Sequence, residues 1–201
     1  MGRWLRDDGY KRLARERGYR SRAAFKLLQL DKKYGLIREG DVVVDLGAAP
    51  GGWLQVARQR VGEGGFVLGV DLMPIRELPF ENVKTIVADI THPDTADLIL
   101  QNLPRKADVL LSDASPQISG IWSVDHLRSV ELCRSALGLC RRVLREGGNA
   151  VLKLFQGGEQ APLWREFSRQ FEFSKISKPS ASRSGSAEIY LVGKRFRSGQ
   201  S

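Results

Sequence analysis

Two lysines and a glutamate occupy positions where an apolar core would be expected. Lys153 interrupts the apolar segment 150–155, and Lys26 lies within the apolar pattern of a predicted helix over 21–34. Glu188 begins a third apolar segment and could hold one of the two ammonium groups. A lysine near a strand end can simply extend its amine to solvent. A partly buried lysine beside a second cation instead favours the neutral amine, which can act as a base.

An aspartate ends each of four successive apolar segments, at Asp45, Asp71, Asp89 and Asp113. Any single aspartate there could only start a turn or cap a helix. The carboxyl ends of parallel strands meet at one edge of a sheet, and ligands bind at that edge. Four acids at this edge indicate a ligand site, in which Asp71 is placed to accept hydrogen bonds from both ribose hydroxyls.

The segment 42–57, VVVDLGAAPGGWLQVA, predicts a buried strand, a glycine-rich turn and a helix. Such a unit lets the backbone approach a nucleotide-like ligand closely. The turn lacks the G-x-G-x-x-G spacing that brings amides onto a pyrophosphate, which argues against a nicotinamide dehydrogenase. A ligand without a pyrophosphate is the better fit.

The remaining chain alternates strands and helices, which predicts an α/β, doubly wound, mostly parallel sheet. About ten residues without a helix join the last two strands, so the last strand should be antiparallel, at or near an edge. Ser21 is the expected cap of the helix 21–34, and Gly35 its end. Further helices are predicted over 53–61, 95–102, 124–145 and 161–170, with strands over 66–72, 82–90, 107–113, 149–155, 171–177 and 188–196.

The 201 residues are expected to form a single domain, 1–201, with a basic N-terminal extension over 1–20 and a C-terminal tail over 193–201. No apolar run is long enough to span a membrane, so no membrane partner is expected. Cys133 and Cys140 lie two helical turns apart in one predicted helix, which fits neither a disulfide framework nor a zinc site. A reduced, cytoplasmic location and no bound metal are therefore expected.

The net charge of +9 is concentrated at the two ends of the chain. Residues 1–22 hold eight Lys/Arg against three Asp/Glu, and residues 175–201 hold six against one. The intervening 152 residues hold 18 against 19. These ends could be solubilising charge. Arginine interleaved with Trp4, Tyr10 and Tyr19 favours a surface for a polyanion.

The segments RSRAAFKL, DLGAAPGGW, SDASPQISG, VLKLFQG and SRSGSAEIY, in this order, resemble the FtsJ/RrmJ family. That family consists of S-adenosylmethionine-dependent ribose 2′-O-methyltransferases. The resemblance extends over about residues 19–192 and implies a Rossmann-like methyltransferase fold, a seven-stranded sheet with an antiparallel last strand. It maps a catalytic tetrad onto Lys26, Asp113, Lys153 and Glu188. It implies cofactor contacts at Gly47, Gly51, Gly52, Trp53, Asp71, Asp89 and Asp113.

The resemblance also implies roles for these residues. Lys153 would be the general base, Lys26 would favour its neutral form and hold the target ribose or phosphate, Asp113 would steer Lys153, and Glu188 would orient a lysine. The substrate implied is a uridine of large-subunit (23S) ribosomal RNA, bound as RNA or within the ribosomal subunit. The protein is expected to act as a monomer. The expected RNA contacts are Arg12, Arg15, Arg17, Arg20, Arg22, Lys178 and Arg183.

The chain departs from the family pattern after the fourth strand. The family more often has Asp-Met-Ala-Pro-Asn there, and this chain has Asp-Ala-Ser-Pro-Gln over 113–117. The tetrad is unaffected, so the departure concerns substrate positioning. Methylation of tRNA or of an mRNA cap is the main alternative, and a catalytically idle RNA-binding module is a second.

Overall fold

A computed structural model describes residues 2–183 and 185–199. Over these residues the helices are α1 (Gly2–Glu16), α2 (Ala24–Tyr34), α3 (Gly52–Val61), α4 (Thr95–Asn102), α5 (Trp122–Val143) and α6 (Gln160–Ser168). The strands are β1 (Val42–Leu46), β2 (Phe66–Asp71), β3 (Val83–Val87), β4 (Ala107–Ser112), β5 (Leu144–Phe155), β6 (Phe171–Ser177) and β7 (Glu188–Phe196).

The strands form one seven-stranded sheet in the order β3-β2-β1-β4-β5-β7-β6. Strands β3, β2, β1, β4 and β5 pair in parallel, whereas β7 is antiparallel to both β5 and β6. The doubly wound, mostly parallel sheet is therefore confirmed. The antiparallel last strand is also confirmed, and it lies one position from the edge, where β6 is outermost.

Each face of the sheet is covered by its own set of helices. Buried side chains of α2 and α3, among them Leu27 and Trp53, pack on one face. Side chains of α4, α5 and α6, among them Ile99, Leu137 and Phe167, pack on the other. Strands covered on both sides explain the continuous apolar runs in the sequence.

The predicted start of the helix over 21–34 and the predicted end of the helix over 124–145 are wrong. Helix α2 begins at Ala24, and its N-cap is Ala23, which has no capping side chain, so Ser21 lies in the preceding turn. Helix α5 ends at Val143, and the strand β5 begins at once with Leu144. Residues 145–148 lie within β5, where the register against β4 shifts, and Gly147 has φ +74°. The glycine pair therefore marks a strand irregularity and not a helix end.

The basic N-terminal extension contains a helix, α1, that the sequence pattern did not indicate. Ala14 of α1 is buried against Phe25 of α2 and Ala181 of the β6–β7 loop. Tyr10 lies 5.4 Å from the Phe25 ring, and its hydroxyl is 3.4 Å from that of Ser180. These contacts bring the two basic ends of the chain together. Among the described residues, no helix combines the length and apolarity that a membrane span requires.

Candidate active site

The structure brings the four predicted catalytic residues into one cluster. Lys26 of α2 places its Nζ 2.8 Å from the Glu188 carboxylate and 3.8 Å from Asp113 Oδ1. Lys153 of β5 places its Nζ 3.1 Å from the same Asp113 oxygen. One carboxylate oxygen therefore lies between two ammonium groups, and Glu188 pairs with Lys26.

Strand pairing and helix packing explain this convergence. Lys153 pairs with Tyr190, and Phe155 with Glu188, across the antiparallel β5–β7 ladder. Asp113 follows the last residue of β4, which is the other neighbour of β5. Helix α2 packs on this face and brings Lys26 over it. Three adjacent strands and one helix thus supply one group each.

Asp113 is the electrostatic centre of the cluster. Burial on its own would raise the pKa of Asp113, but Lys153, Lys26 and a hydrogen bond from Tyr190 together lower it. The Tyr190 hydroxyl donates to Asp113 Oδ1 at 2.7 Å. Burial and the nearby Asp113 and Glu188 carboxylates raise the pKa of Tyr190 well above its usual value. Tyr190 is therefore a neutral donor that holds an ionised Asp113.

The Lys153 amine has three acceptors in the structure. It donates to the Asp113 carbonyl at 2.5 Å, to the Asp113 carboxylate and to the Ser115 hydroxyl. Lys153 is only 7% exposed, so these acceptors replace most of its contact with water. An ammonium has three N–H donors and matches this set, whereas a neutral amine would keep two donors and gain a free lone pair.

A pocket of about 320 Å³ adjoins the cluster at the carboxyl edge of the sheet. Its wall includes Asp71, Asp89 and Asp113, and none of its lining residues within the described chain is cationic. Apolar residues Leu72, Ile90 and Leu132 complete much of the wall. The pocket thus offers carboxylates and apolar surface to a ligand.

The turn after β1 contributes Gly47 and Ala49 to the wall of this pocket. A Cβ on Gly47, which has φ +70°, would lie 2.5 Å from Ala114 Cα, so only glycine allows β1 and the β4–α5 loop to approach this closely. Asp71 accepts the Ala49 and Met73 amides at 2.9 Å through its two oxygens. Asp89 accepts the amide and hydroxyl of Thr91, and these hydrogen bonds lower its pKa.

Three further residues of the expected cofactor loop do not line this pocket. Gly51, with φ +108°, precedes α3, and Gly52 is the first residue of that helix. The Trp53 ring is buried 5.9 Å from the Tyr190 ring, and its Nε1 donates to the Ala23 carbonyl at 2.7 Å. Trp53 therefore connects α3 to α2 and to the tetrad strand β7.

Asp45 lies beneath the site rather than in it. Its side chain is 0% exposed, and neither carboxylate oxygen has a hydrogen-bond partner among the described residues. Burial, followed by the nearby charges of Asp113 and Asp71, raises its pKa well above the usual value. Asp45 is therefore protonated under conditions in which Asp113 is ionised, and only three of the four strand-end acids face the pocket.

The expected RNA contacts fall into two groups. Arg12, Arg15 and Arg17 are exposed on α1 and in the turn after it, and the Arg17 guanidinium lies 6.0 Å from the Phe25 ring centroid. Arg20, Arg22 and Lys178 instead donate to backbone carbonyls. Arg20 binds those of Pro50, Arg76 and Glu77, Arg22 binds that of Ala181, and Lys178 binds that of Ser186.

Arg183 is exposed and lies close enough to Arg22 to influence it. Burial first, and then the charge of Arg183, lower the pKa of Arg22, while Glu188 opposes this change. The second basic block thus reaches the α1–α2 surface and the edge of the tetrad.

Sequence reasoning missed two members of the cluster, Tyr190 and Ser115. Strand alternation could have indicated Tyr190, because it lies two residues after Glu188 and shares its face. Ser115 was noticed only as a departure from the family pattern. Nothing in the local sequence indicates that its hydroxyl reaches Lys153.

Comparisons with known proteins agree on the family. The sequence model of the FtsJ-like methyltransferase family matches residues 19–196. A ribosomal RNA large subunit methyltransferase E from Archaeoglobus fulgidus is 50% identical over 192 residues, which cover 96% of this chain and 97% of the relative. The enzyme of the same description from Methanothermobacter thermautotrophicus is 50% identical over 190 residues, covering 94% and 90%.

A solved structure from Plasmodium falciparum, described as a ribosomal RNA methyltransferase, matches with a TM-score of 0.79 and 30% identity. It covers 90% of this chain and 100% of the solved one. The tetrad geometry, the fold and these matches lead to one conclusion. The chain belongs to the FtsJ-like methyltransferase family, which confirms the resemblance of its motifs.

Proposed function

We propose that this protein uses S-adenosylmethionine to methylate a ribose 2′-oxygen in large-subunit ribosomal RNA, at a uridine. The observation that supports this most directly is the Lys26–Asp113–Lys153–Glu188 cluster at the mouth of an acidic pocket. The relatives described as ribosomal RNA large subunit methyltransferase E support the choice of RNA.

The pocket fits S-adenosylmethionine by its chemistry. Asp71, Asp89 and Asp113 suit a sulfonium, an amino group and ribose hydroxyls, whereas they would repel a pyrophosphate. Gly47 lines the pocket without a side chain, because a Cβ there would collide with Ala114. Asp71 and Asp89 would hold the adenosine part, and Gly51, Gly52 and Trp53 would support it by shaping the loop. When bound, this cofactor supplies an electrophilic methyl group.

Lys153 would act as the general base. A ribose hydroxyl is a poor nucleophile, so its proton must leave as its oxygen attacks. A neutral Lys153 could keep Asp113 and one further acceptor while its lone pair takes that proton. Asp113 would hold the amine in place, and Tyr190 would hold Asp113.

Lys26 would act through its charge. Glu188 fixes its amine at 2.8 Å, and its cationic head lies at the Asp113 side of the cluster, where the ribose or its phosphate would enter. A fixed cation there would neutralise a phosphate of the RNA. Alignment of the reacting atoms could contribute roughly 7–11 kcal/mol to lowering the barrier.

The RNA would lie across the joined basic ends of the chain. Arg12, Arg15 and Arg17 are exposed, with Arg12 in a surface ion pair with Glu16 at 3.5 Å, and Arg183 lies nearer the tetrad. Arg20, Arg22 and Lys178 would contribute mainly by holding the loops against which the RNA rests. A monomer acting in the cytoplasm is part of this proposal.

The decisive experiment is transfer of a radiolabelled methyl group to a panel of RNAs. The panel contains 23S ribosomal RNA, large subunits, tRNA and capped mRNA, followed by mapping of the labelled nucleotide. Label on a uridine 2′-oxygen of 23S RNA is expected. Label confined to tRNA or cap would contradict the ribosomal substrate. RNA binding without any transfer would leave the idle binding module as the correct description.

A further inference from the structure

Large apolar side chains are exposed beside the tetrad, at the junction of the β4–α5 loop and α5. Ile118, Ile121 and Trp122 are 62%, 60% and 54% exposed within five residues of chain. We name these three residues the Trp122 platform. Exposed apolar surface costs free energy in water, so its presence beside a reaction site calls for an explanation.

The indole of Trp122 is supported from beneath by two rings. It lies 6.5 Å from the Phe155 ring at an interplanar angle of 17°, and 6.4 Å from the His126 ring at 19°. His126 is fixed in turn, because its Nε2 accepts the Glu159 amide and its Nδ1 therefore donates to the Phe155 carbonyl. The indole is held nearly parallel to both rings, while more than half of it is open to solvent.

The backbone beneath the platform is also held. Asp125 accepts the amide and hydroxyl of Ser119 and the amide of Gly120. Arg128 donates to the Gln117 carbonyl at 3.3 Å. These bonds fix the loop that leads from Asp113 to Trp122, so the ring does not have to be ordered when a ligand arrives.

The platform is connected to the tetrad from two sides. Phe155, on which Trp122 stacks, lies two residues after Lys153 and pairs with Glu188. The loop that carries the platform begins at Asp113 and Ser115, both of which contact Lys153. A nucleotide whose 2′-oxygen approached Lys153 would therefore have its own base, or the base next to it, beside Trp122.

From this arrangement we infer that the Trp122 platform stacks a nucleobase of the RNA substrate and so positions the target ribose. This inference rests on the proposed function, because it assumes that the substrate is RNA. Sequence-specific and single-stranded RNA recognition commonly uses aromatic rings on which unstacked bases lie. Three side chains are too few for a protein interface, which takes about 800 Å² from each partner. A single base matches the platform in size and in its flat, apolar face.

The test compares Trp122→Ala, Trp122→Phe and a control, Phe173→Ala. Phe173 is an aromatic residue of similar exposure, at 40%, on the outermost strand β6. Methyl transfer to 23S ribosomal RNA gives kcat and KM, and calorimetry gives the affinity for S-adenosylhomocysteine. Quenching of tryptophan fluorescence by a single-stranded uridine-containing oligoribonucleotide reports the stacking directly, independently of turnover.

Trp122→Ala should raise KM for RNA, or lower kcat/KM, by about 5- to 150-fold, the range for one lost base–aromatic stack. Trp122→Phe should recover most of this loss but should abolish most of the RNA-dependent quenching. Affinity for S-adenosylhomocysteine should be unchanged in both variants, and Phe173→Ala should resemble the unmodified protein in every measurement.

Unchanged kcat/KM and unchanged quenching in the Trp122 variants would overturn the inference. Equal losses in Trp122→Ala and Trp122→Phe with a lowered melting temperature would also overturn it, in favour of a purely structural ring. A changed oligomeric state with normal RNA kinetics would overturn it in favour of a protein contact. Absence of RNA methylation by the unmodified protein would refute the proposed function instead, and the fluorescence assay would still decide whether Trp122 stacks bases.

Discussion

Lys153 is the residue on which the proposed chemistry depends most. Its amine is buried and already has three acceptors, so two different roles fit it. As a base it must lose a proton and turn a lone pair toward the ribose. As a fixed cation it would keep all three N–H groups and would position the substrate through its positive charge without taking a proton. The two roles predict opposite behaviour for a substitution that preserves the positive charge.

Lys153→Arg should lose turnover by about 100- to 10,000-fold, because a guanidinium is not deprotonated in a protein. Lys153→Ala should lose turnover comparably, whereas affinity for S-adenosylhomocysteine changes little. Single-turnover methyl transfer with saturating RNA and cofactor measures both losses. Near-normal turnover of Lys153→Arg would show that the base is another group.

A substitution of Ser115 tests how much one acceptor of the Lys153 amine contributes to the rate. Its hydroxyl contacts Lys153 at a position where the family more often has alanine. Ser115→Ala should fold normally and lower kcat by less than about tenfold, because an exposed hydroxyl contributes about one ordinary hydrogen bond. Single-turnover rates measure this effect. A loss as large as that of Lys153→Ala would indicate that Ser115 takes a direct part in the reaction.

The contribution of Asp45 to the free energy of unfolding should decrease as pH rises. Its folded pKa is raised by burial and by Asp113 and Asp71, so the folded state holds a proton that the unfolded state releases above about pH 4. Its contribution to stability is thus full below that pH and is lost as pH rises toward the folded pKa. The loss can reach about 1.4 kcal/mol per pH unit for one proton.

Asp45→Asn removes this proton. In denaturant unfolding between pH 4 and pH 8, the free energy of unfolding of the variant should therefore rise relative to that of the unmodified protein as pH rises. Asp94→Asn is the matched control, because the Asp94 side chain is 85% exposed. Parallel pH profiles for Asp45→Asn and the unmodified protein would mean that Asp45 is ionised in the folded state.

At the scale of elements, α1 gives the N-terminal charge a defined place. It packs through Ala14 on α2 and on the β6–β7 loop, so its exposed arginines lie beside the second basic block. A tail that only made the chain more soluble would not need these packing contacts. The docking instead suits a surface that binds phosphates.

Replacing Arg12, Arg15 and Arg17 together by Gln should lower the salt dependence of RNA binding by about 2 in the log–log slope, at about 0.7 per phosphate contact. Filter binding over a range of salt concentrations measures the slope. Arg134, Arg141 and Arg142 on α5 form the control set, because they pair with Glu166 and Asp97 on the opposite face. Equal slopes for both triple variants would mean that α1 does not contact RNA phosphates.

At the scale of the whole molecule, ligand binding should raise the free energy of unfolding and the melting temperature. A ligand at 100 times its Kd adds about 2.7 kcal/mol to the free energy of unfolding, which corresponds to roughly 5–11 °C for a domain of this size. S-adenosylhomocysteine should produce such a shift in thermal unfolding, whereas NAD should not, because the pocket is lined by carboxylates.

Asp71→Ala should reduce the shift, because it removes the acceptor expected for the ribose hydroxyls, at a cost of about 1–3 kcal/mol in binding. Its own melting temperature provides the baseline, since Asp71 also accepts two backbone amides. A full shift in Asp71→Ala, or an equal shift with NAD, would contradict the assigned ligand site.

The sequence by itself determined the fold class and the residues of the site. Apolar runs buried on both faces, alternating with helices, specify a parallel sheet because burial imposes the pattern directly. A short polar connection before β7 specifies its antiparallel direction for the same local reason. Lys26, Lys153 and Glu188 stood out because each interrupts or begins an apolar segment.

Only the tertiary structure decided how these residues are combined. Contacts between Lys26 and Glu188, 162 positions apart, depend on strand order and helix packing, which local periodicity does not encode. The contacts of Tyr190 and Ser115 with the tetrad and the burial of Asp45 also depend on the tertiary structure. Helix α1 has only a weak sequence pattern, and it is stabilised by packing against Phe25 and Ala181. Local sequence fixes local geometry and burial, whereas the site arises from contacts between distant segments.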